Sequence, residues 1–310
     1  MKKKTLKEIY SIWKETKKMQ VKPASYATYV VLAECHVIPD LGHLYDIPED
    51  RVQQFVATLH DSGLSRSTIR QVVQVLRMIV RYGYKRGWTE YTHWDVSYMV
   101  GNDIKSLAML SVNDQRRIFN YVRQHPSIKN IGICISMLTG MRIGEVCGLK
   151  WSDIDIGNRL IYVQRTVQRL YSPYDSQGRS KVIVGRPKTR NSLRVIPISD
   201  LLVDMLLPFR PCTNGGNYLL TNSPKPTEPY TYRQYYYRLI KRNHLPCVKF
   251  HGLRHSFATR CVESGCDYKT VSSILGHADI GTTMNLYVHP DINQKKKCIE
   301  KLMKTIGETS

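Results

Sequence analysis

Between Ser65 and Gly87 the chain places Ile69, Val72, Val73, Leu76, Ile79 and Val80 on the i, i+3, i+4, i+7 pattern, which gathers them on one face of a long helix. Such a helix is not stable alone in water; its apolar face has to be covered by other elements. Ser65 or Ser67 supplies a cap at its start, and Gly83 and Gly87 close it. The upstream sequence offers the cover. Residues 5–19 put Leu6, Ile9, Ile12 and Trp13 at helical spacing, Pro23 breaks that helix, and Ser25 caps the next, SYATYVVLAECHVI. Pro39 and Gly42 mark a loop, Pro48 precedes a helix with Glu49 and Asp50 in its first turn, and Gly63 stops it. Residues 1–105 therefore read as a compact domain of four or five helices. Residues 89–106 show little periodicity and read as a linker, with the boundary near residue 105.

The second domain, residues 106–310, is read as α+β. A helix at Val112–Gln124 is capped by Ser111 or Asn113, and Ile131 to Leu138 is a buried helix broken at Thr139-Gly140. A new helix starts around Arg142, which leaves that arginine beside free backbone N–H groups. Its partner is either Glu145, three residues on, or an anionic ligand. Residues 159–170, KVIV (181–184) and LRVIPI (193–198) have strand character, and the turn between the last two carries Lys188 at a hairpin tip. A lysine at a turn, taken alone, is usually just solvated. Helices are expected at residues 200–209 and 231–244, with a short strand, NYLL, between them. The fold class is mainly α with a small antiparallel β-sheet.

Charge narrows the partners. Lysine and arginine number 46 against 25 acidic residues, a net charge of +21, which points to a polyanion and most simply to nucleic acid. The excess is +5 over residues 1–105 and +16 over residues 106–310, so the second domain makes the larger share of phosphate contacts. Candidate DNA-binding residues are Arg66, Arg70, Arg77 and Arg81 in the first domain, and Arg233, Arg238, Lys241 and Arg242 on the tyrosine-rich helix of the second; a solvated face is the alternative for the first group. No apolar run is long enough to span a membrane, and the N-terminal MKKKTLKEIY lacks an apolar core for a signal peptide. The eight cysteines form no CxxC pair, which suggests buried, reduced thiols in a cytoplasmic, nucleoid-associated protein. There is no GxxxxGK[ST] loop and no acidic metal cluster, so neither a cofactor nor a metal is expected.

One stretch concentrates chemistry. His251-Gly-Leu-Arg-His255 is followed by His277 in LGH and Tyr287 in MNLYVH. His251 and Arg254 share a helix face, while His255 reads as a structural residue and His289 as solvent-facing. Tyr235, Tyr236 and Tyr237 read as packing or backbone contacts. At this point the chain resembles the tyrosine recombinase (phage integrase) family, in its compact two-domain form. TGMRIGEVCGLKW resembles the first arginine motif, RPKTRNSLRVIPI the lysine motif, HGLRHSFAT the histidine and second arginine, and LGHADIGTTMNLYVH the second histidine and the nucleophile. GLSRSTIRQVVQVLRMIVRYGYKRG resembles the core-site-binding helical domain. The order and spacing of the motifs are together highly specific. Gly252 departs from the pattern, since many members have Asp there, and a helix-cap contribution goes with it.

The resemblance implies Arg142, Lys188, His251, Arg254, His277 and Tyr287 as catalytic residues, with Tyr287 attacking a DNA phosphate to form a 3′-phosphotyrosine. It implies site-specific recombination, without metal, by a homotetramer on two double-stranded DNA sites. The apolar tail from about residue 292 would be exchanged between subunits, and accessory DNA-bending or directionality proteins fit the same scheme. Integration and excision of a mobile element is the first expectation; inversion and chromosome-dimer resolution use the same chemistry. A type IB topoisomerase and a non-catalytic DNA-binding regulator on this fold are the rivals.

Overall fold

The computed structural model describes residues 2–91, 93–99, 109–170, 180–186, 190–210 and 215–277, with isolated positions at 279, 281, 296, 299 and 300. Lys188, Tyr287, His289 and nearly all of the tail lie outside the described residues. The chain divides into two compact units, Met1–Lys105 with Leu170–Lys181, and Ser106–Arg169 with Val182–Ser310.

Up to Tyr84 the regular elements of the first unit are all helical. Helix α1 (Leu6–Gln20) opens with a reciprocal cap between Thr5 and Glu8 and buries Leu6, Ile9, Tyr10 and Trp13. Ile12 falls off that face and is exposed, because Tyr10 completes the stripe in its place. Helix α2 (Pro23–Leu32) starts at Pro23 and not after a Ser25 cap; a proline at the first helical position loses no hydrogen bond that the helix would have made. It runs through a π-helical stretch, Ala33–Val37, into α3 (Ile38–Leu41), so Pro39 sits inside a helical segment where a loop was expected. Helix α4 (Glu49–Asp61) follows Pro48 and ends before Gly63. Helix α5 (Arg66–Tyr84), capped by Ser65, buries Ile69, Val72, Val73, Val75, Leu76, Ile79 and Val80 against α1, α2 and α4. At roughly 1.5–3 kcal/mol per buried aliphatic side chain, this face supplies the largest apolar contribution of any element in the unit. Gly83 does not close α5 but lies within it, where an added Cβ would come within 2.7 Å of Ile9.

The expected linker is structured over its first half. Trp94 is 1% exposed and its indole N–H donates to the Ile47 carbonyl. Gln53 and Ser97 exchange two hydrogen bonds, and the Asp95 N–H donates to Glu49. Residues 89–91 and 93–99 thus form a strap across the α4–α5 face, held by side chains that lack any periodic signature.

In the second unit, α6 (Val112–Gln124) is capped by Ser111 and α7 (Ile128–Thr139) by Ser127. Helix α8 (Ile143–Gly148) follows Arg142 directly. The strands are β1 (Ile154–Asp155), β2 (Leu160–Val163), β3 (Thr166–Leu170), β4 (Lys181–Gly185) and β5 (Arg194–Pro197). Residues 159–170 are therefore two strands and not one. The expected hairpin between the last two strands is absent: β5 pairs antiparallel with β2, from Leu160↔Pro197 to Val163↔Arg194, and β4 pairs with β3. The stretch carrying Lys188 thus joins two sheets. The β2–β5 pairing wins because it buries Ile161 and Ile196, whereas β4 is exposed along its length. NYLL makes only bridges, Lys150↔Tyr218 and Tyr218↔Ser223. Helices α9 (Asp200–Leu206), α10 (Pro229–Arg242), α11 (Phe250–Glu263) and α12 (Tyr268–Leu275) follow. Its core centres on α7, with Ile131, Ile133 and Ile135 packed among residues of α8, α10 and α11. Among the described cysteines, Cys134 and Cys147 are buried but Cys35, Cys247 and Cys266 are exposed, so the expected burial of thiols holds only in part.

Trp94→Ala is expected to lower the unfolding free energy by about 3–5 kcal/mol in urea denaturation. A loss below about 0.5 kcal/mol, the size of an ordinary surface substitution, would show that residues 89–99 do not anchor to the helices.

Candidate active site

The site is built where three helix ends meet. Helix α7 ends at Gly140, whose φ of +68° is a left-handed conformation that glycine adopts without penalty. An added Cβ there would also come within 2.6 Å of Leu275 and Phe257, so α11 and α12 approach this turn too closely for any side chain. The chain then reverses through Met141 into Arg142, the residue before α8. Helix α12 ends likewise at Gly276, with φ +66°, and releases His277.

A buried carboxylate joins these ends. Glu145 accepts from the Arg142 backbone N–H at 3.0 Å and from its Nη1 at 2.9 Å. From the other side Arg194 of β5 approaches as a fork, with Nη2 at 2.8 Å and Nη1 at 3.2 Å from the two carboxylate oxygens. Burial alone would push the Glu145 carboxyl up, but Arg194 and then Arg142 outweigh it and hold it below the ordinary range. The same two guanidinia cap α12. Arg194 Nε donates to the Ile274 carbonyl at 2.5 Å, and Arg142 reaches those of Leu275 and Gly276 at 3.4 Å each. These are last-turn carbonyls without helical partners, at the negative end of the helix dipole.

Arg254 enters from α11. It is 1% exposed, and its Nη1 donates to the Gly140 carbonyl at 2.8 Å. His251, one turn earlier on the same helix, remains exposed, with its ring edge-on to His255 at 4.5 Å. The helix starts without a side-chain cap, Lys249 holding that position, which agrees with glycine at 252. His255 is buried, as expected of a structural residue. His251 is held down at about 4 by partial burial of its ring, then by His255, Arg254 and Arg142. His277, half-buried, is held at about 4 by burial, then by Arg254, Arg142, Arg194 and His251. Both imidazoles are thus neutral at pH 7. Guanidinia and neutral imidazoles around one opening make a site for an anion, with donors in place before it arrives.

Four of the six expected catalytic residues, Arg142, His251, Arg254 and His277, therefore come together, while Lys188 and Tyr287 lie outside the described residues. Arg194 was not singled out from sequence. Its signal was present in part, since the segment that carries Glu145 is apolar and a buried carboxylate calls for more than one cation.

The expected DNA contacts lie on α5 and α10. Arg66, Arg70, Arg77 and Arg81 form one stripe on α5, and the strap engages three of them. Arg81 donates to the Tyr91 hydroxyl, Arg77 to the Trp94 carbonyl, and Arg70 lies over the Tyr98 ring. These three arginines thus hold Tyr91, Trp94 and Tyr98. Arg233, Arg238, Lys241 and Arg242 are exposed on α10, while Tyr232 and Tyr236 of the same helix are buried. Tyr235 bonds Asn130, so at least Tyr235 and Tyr236 serve packing. No group of three or more metal-ligating side chains occurs among the described residues, and none of their helices is long and apolar enough to cross a membrane.

Comparison with known proteins identifies the family and the fold. The phage integrase family matches residues 108–294, and its N-terminal SAM-like domain matches residues 5–60. A tyrosine recombinase XerC-like protein of Caldanaerobacter subterraneus subsp. tengcongensis is 28% identical, covering 96% of this chain and 82% of its own. The ICEBs1 integrase of Bacillus subtilis is 21% identical over 95% of this chain and 81% of its own. Among solved structures, the Tn1549 transposon integrase in complex with transposon right end DNA superposes with a TM-score of 0.79 at 21% identity, covering 96% of this chain and 99% of that one. A lambda integrase tetramer bound to a Holliday junction gives 0.65 at 17% identity, covering 94% and 80%. At these identities the structures show a shared fold.

Because His251 and His277 are neutral when folded but take up protons near pH 6.5 when unfolded, the unfolded state binds more protons between about pH 6.5 and 4. Stability is therefore expected to fall as pH drops through that window. His251 keeps an exposed edge, so His277 carries the larger share. NMR titration of the imidazole protons checks this, with His277 expected to stay neutral at pH 5.5.

Proposed function

Because this chain belongs to the phage integrase family of tyrosine recombinases, we propose that it is a site-specific DNA recombinase that cuts and rejoins DNA through a covalent tyrosine intermediate. The observation that carries the reading is the convergence of Arg142, His251, Arg254 and His277, drawn from segments up to 135 residues apart, around the ends of α7 and α12.

In this reading the Tyr287 oxygen attacks a backbone phosphorus, the bond to the 5′ oxygen breaks, and a 3′-phosphotyrosine and a free 5′-hydroxyl result. Arg142 and Arg254 bind the non-bridging oxygens and stabilise the charge that develops on them. Lys188 donates the proton taken up by the 5′ oxygen. His251 and His277 assist at the phosphate, and one of them receives the phenol proton. Their neutrality in the DNA-free protein leaves either able to accept it. Both bonds are phosphodiesters, so the covalent step stores the energy for rejoining and needs no nucleotide.

The partner is double-stranded DNA, bound by two units of net basic charge. Assembly as a tetramer is proposed by analogy with the lambda integrase tetramer bound to a Holliday junction; two DNA sites and docking of the apolar tail on a neighbouring subunit are proposed from the family resemblance of the sequence. Integration and excision of a mobile element is the setting proposed, supported by the ICEBs1 and Tn1549 integrases. Inversion of DNA or resolution of chromosome dimers would proceed by the same steps.

The cognate site is first selected by binding from a pool of random duplexes. On a nicked substrate carrying that site, the wild-type protein is expected to accumulate a covalent adduct and Tyr287→Phe none. Arg142→Ala is expected to slow adduct formation by about 10²-fold or more. Equal trapping by Tyr287→Phe would overturn the mechanism.

A further inference from the structure

We propose that Arg194 is a positioning residue of this site: its guanidinium neutralises Glu145 and clamps the end of α12, which leaves Arg142 a positive charge to offer to a phosphate. The proposal rests on the reading of Arg142 as a phosphate ligand.

The argument starts from the two arginines at Glu145. The Arg194 side chain is 5% exposed and that of Arg142 is 36% exposed. Arg194 spends its donors inward, on both oxygens of Glu145, on the Ile274 carbonyl and on the Ser192 carbonyl. It has no face for DNA. Arg142 has one close side-chain bond, to Glu145 at 2.9 Å, and two long ones at 3.4 Å to the end of α12. The long ones are readily exchanged for phosphate oxygens. Arg194 is the anchor and Arg142 the free hand.

Charge counting gives the same division. One carboxylate shared by two guanidinia leaves a cluster of net +1 beside the opening. Without Arg194, Arg142 and Glu145 form a neutral pair, and the carboxylate competes with the phosphate for the same donors. Position matters as well. Arg194 is the first residue of β5 and fixes the α12 carbonyl two residues before Gly276, where an added Cβ would come within 3.0 Å of the Arg194 side chain. The Asn191 amide donates to the His277 carbonyl at 3.3 Å. One guanidinium therefore ties the segment that follows Lys188 to the helices that carry Arg142 and His277. Lysine cannot replace it, since a single ammonium cannot span two carboxylate oxygens and a carbonyl in one plane. The cations around His277 agree with this arrangement: Arg254 on α11, Arg142 before α8 and Arg194 on β5 all face it, with His251.

The test measures adduct formation on the nicked cognate substrate, normalised to the folded fraction from circular dichroism. Arg194→Ala is expected to slow adduct formation by about 10–100-fold, the cost of a small misplacement of catalytic groups. Its affinity for DNA stays within about twofold, because most phosphate contacts are elsewhere. Arg194→Lys is expected to be slowed comparably and stands in if the alanine variant does not fold. Adding Glu145→Gln to Arg194→Ala removes the competing carboxylate charge and is expected to recover about tenfold of the rate, on the scale of one lost charge interaction, whereas Arg194→Lys, which keeps the charge and loses the clamp, is expected to recover less. A merely structural role for Arg194 gives no such recovery. Wild-type rates in both single variants, or no gain from Glu145→Gln, would overturn the proposal. Failure of the wild-type protein itself to form an adduct is a separate result and removes the recombinase reading on which this one stands.

Discussion

Glu145 is the constraint around which the second unit is arranged. A carboxylate 3% exposed in an apolar setting is tolerated only if its oxygens are fully engaged. Here the engagement comes from the start of its own helix and from a strand 49 residues away. Removing one partner of such a buried pair typically costs 3–5 kcal/mol. The sheet, the short helix α8 and the end of α12 are therefore held in one relation by electrostatics as much as by packing. The same pairing that satisfies the carboxylate aims cations toward solvent, so structural and chemical demands are met by the same atoms.

Two left-handed glycines complete the arrangement. Gly140 and Gly276 end α7 and α12 and turn their last carbonyls toward arginines, Arg254 at Gly140 and Arg142 at Gly276. Helix ends present orphan carbonyls, and this site uses them to orient guanidinia before any ligand arrives. An anion entering would take over the donors that Arg142 now spends on two long carbonyl contacts.

Much of this was legible in the sequence, and the exceptions have physical causes. The apolar stripe of α5, the serine caps of α5 and α6 and the break at Gly140 follow from periodicity and local capping, which act over a few residues. Strand pairing does not. KVIV and LRVIPI looked adjacent because they are close in sequence, yet β5 pairs with β2 and β4 with β3. Residues 89–99 looked like linker because the contacts of Trp94 and Gln53 are single and aperiodic. In the site, Arg142, His251, Arg254 and His277 were found through a family resemblance whose motifs are each short. Arg194 escaped because an arginine at the head of LRVIPI reads as a solvent-facing position; its burial depends on a carboxylate supplied from elsewhere in the chain.

The central claim is that this cluster activates a phosphate for attack by Tyr287. Its most direct test is mass spectrometry of the peptide that carries DNA after trapping on the nicked cognate site. The account predicts a nucleotide joined through its 3′-phosphate to Tyr287 and to no other of the 20 tyrosines. A link to a different residue, or one through a 5′-phosphate, would contradict it.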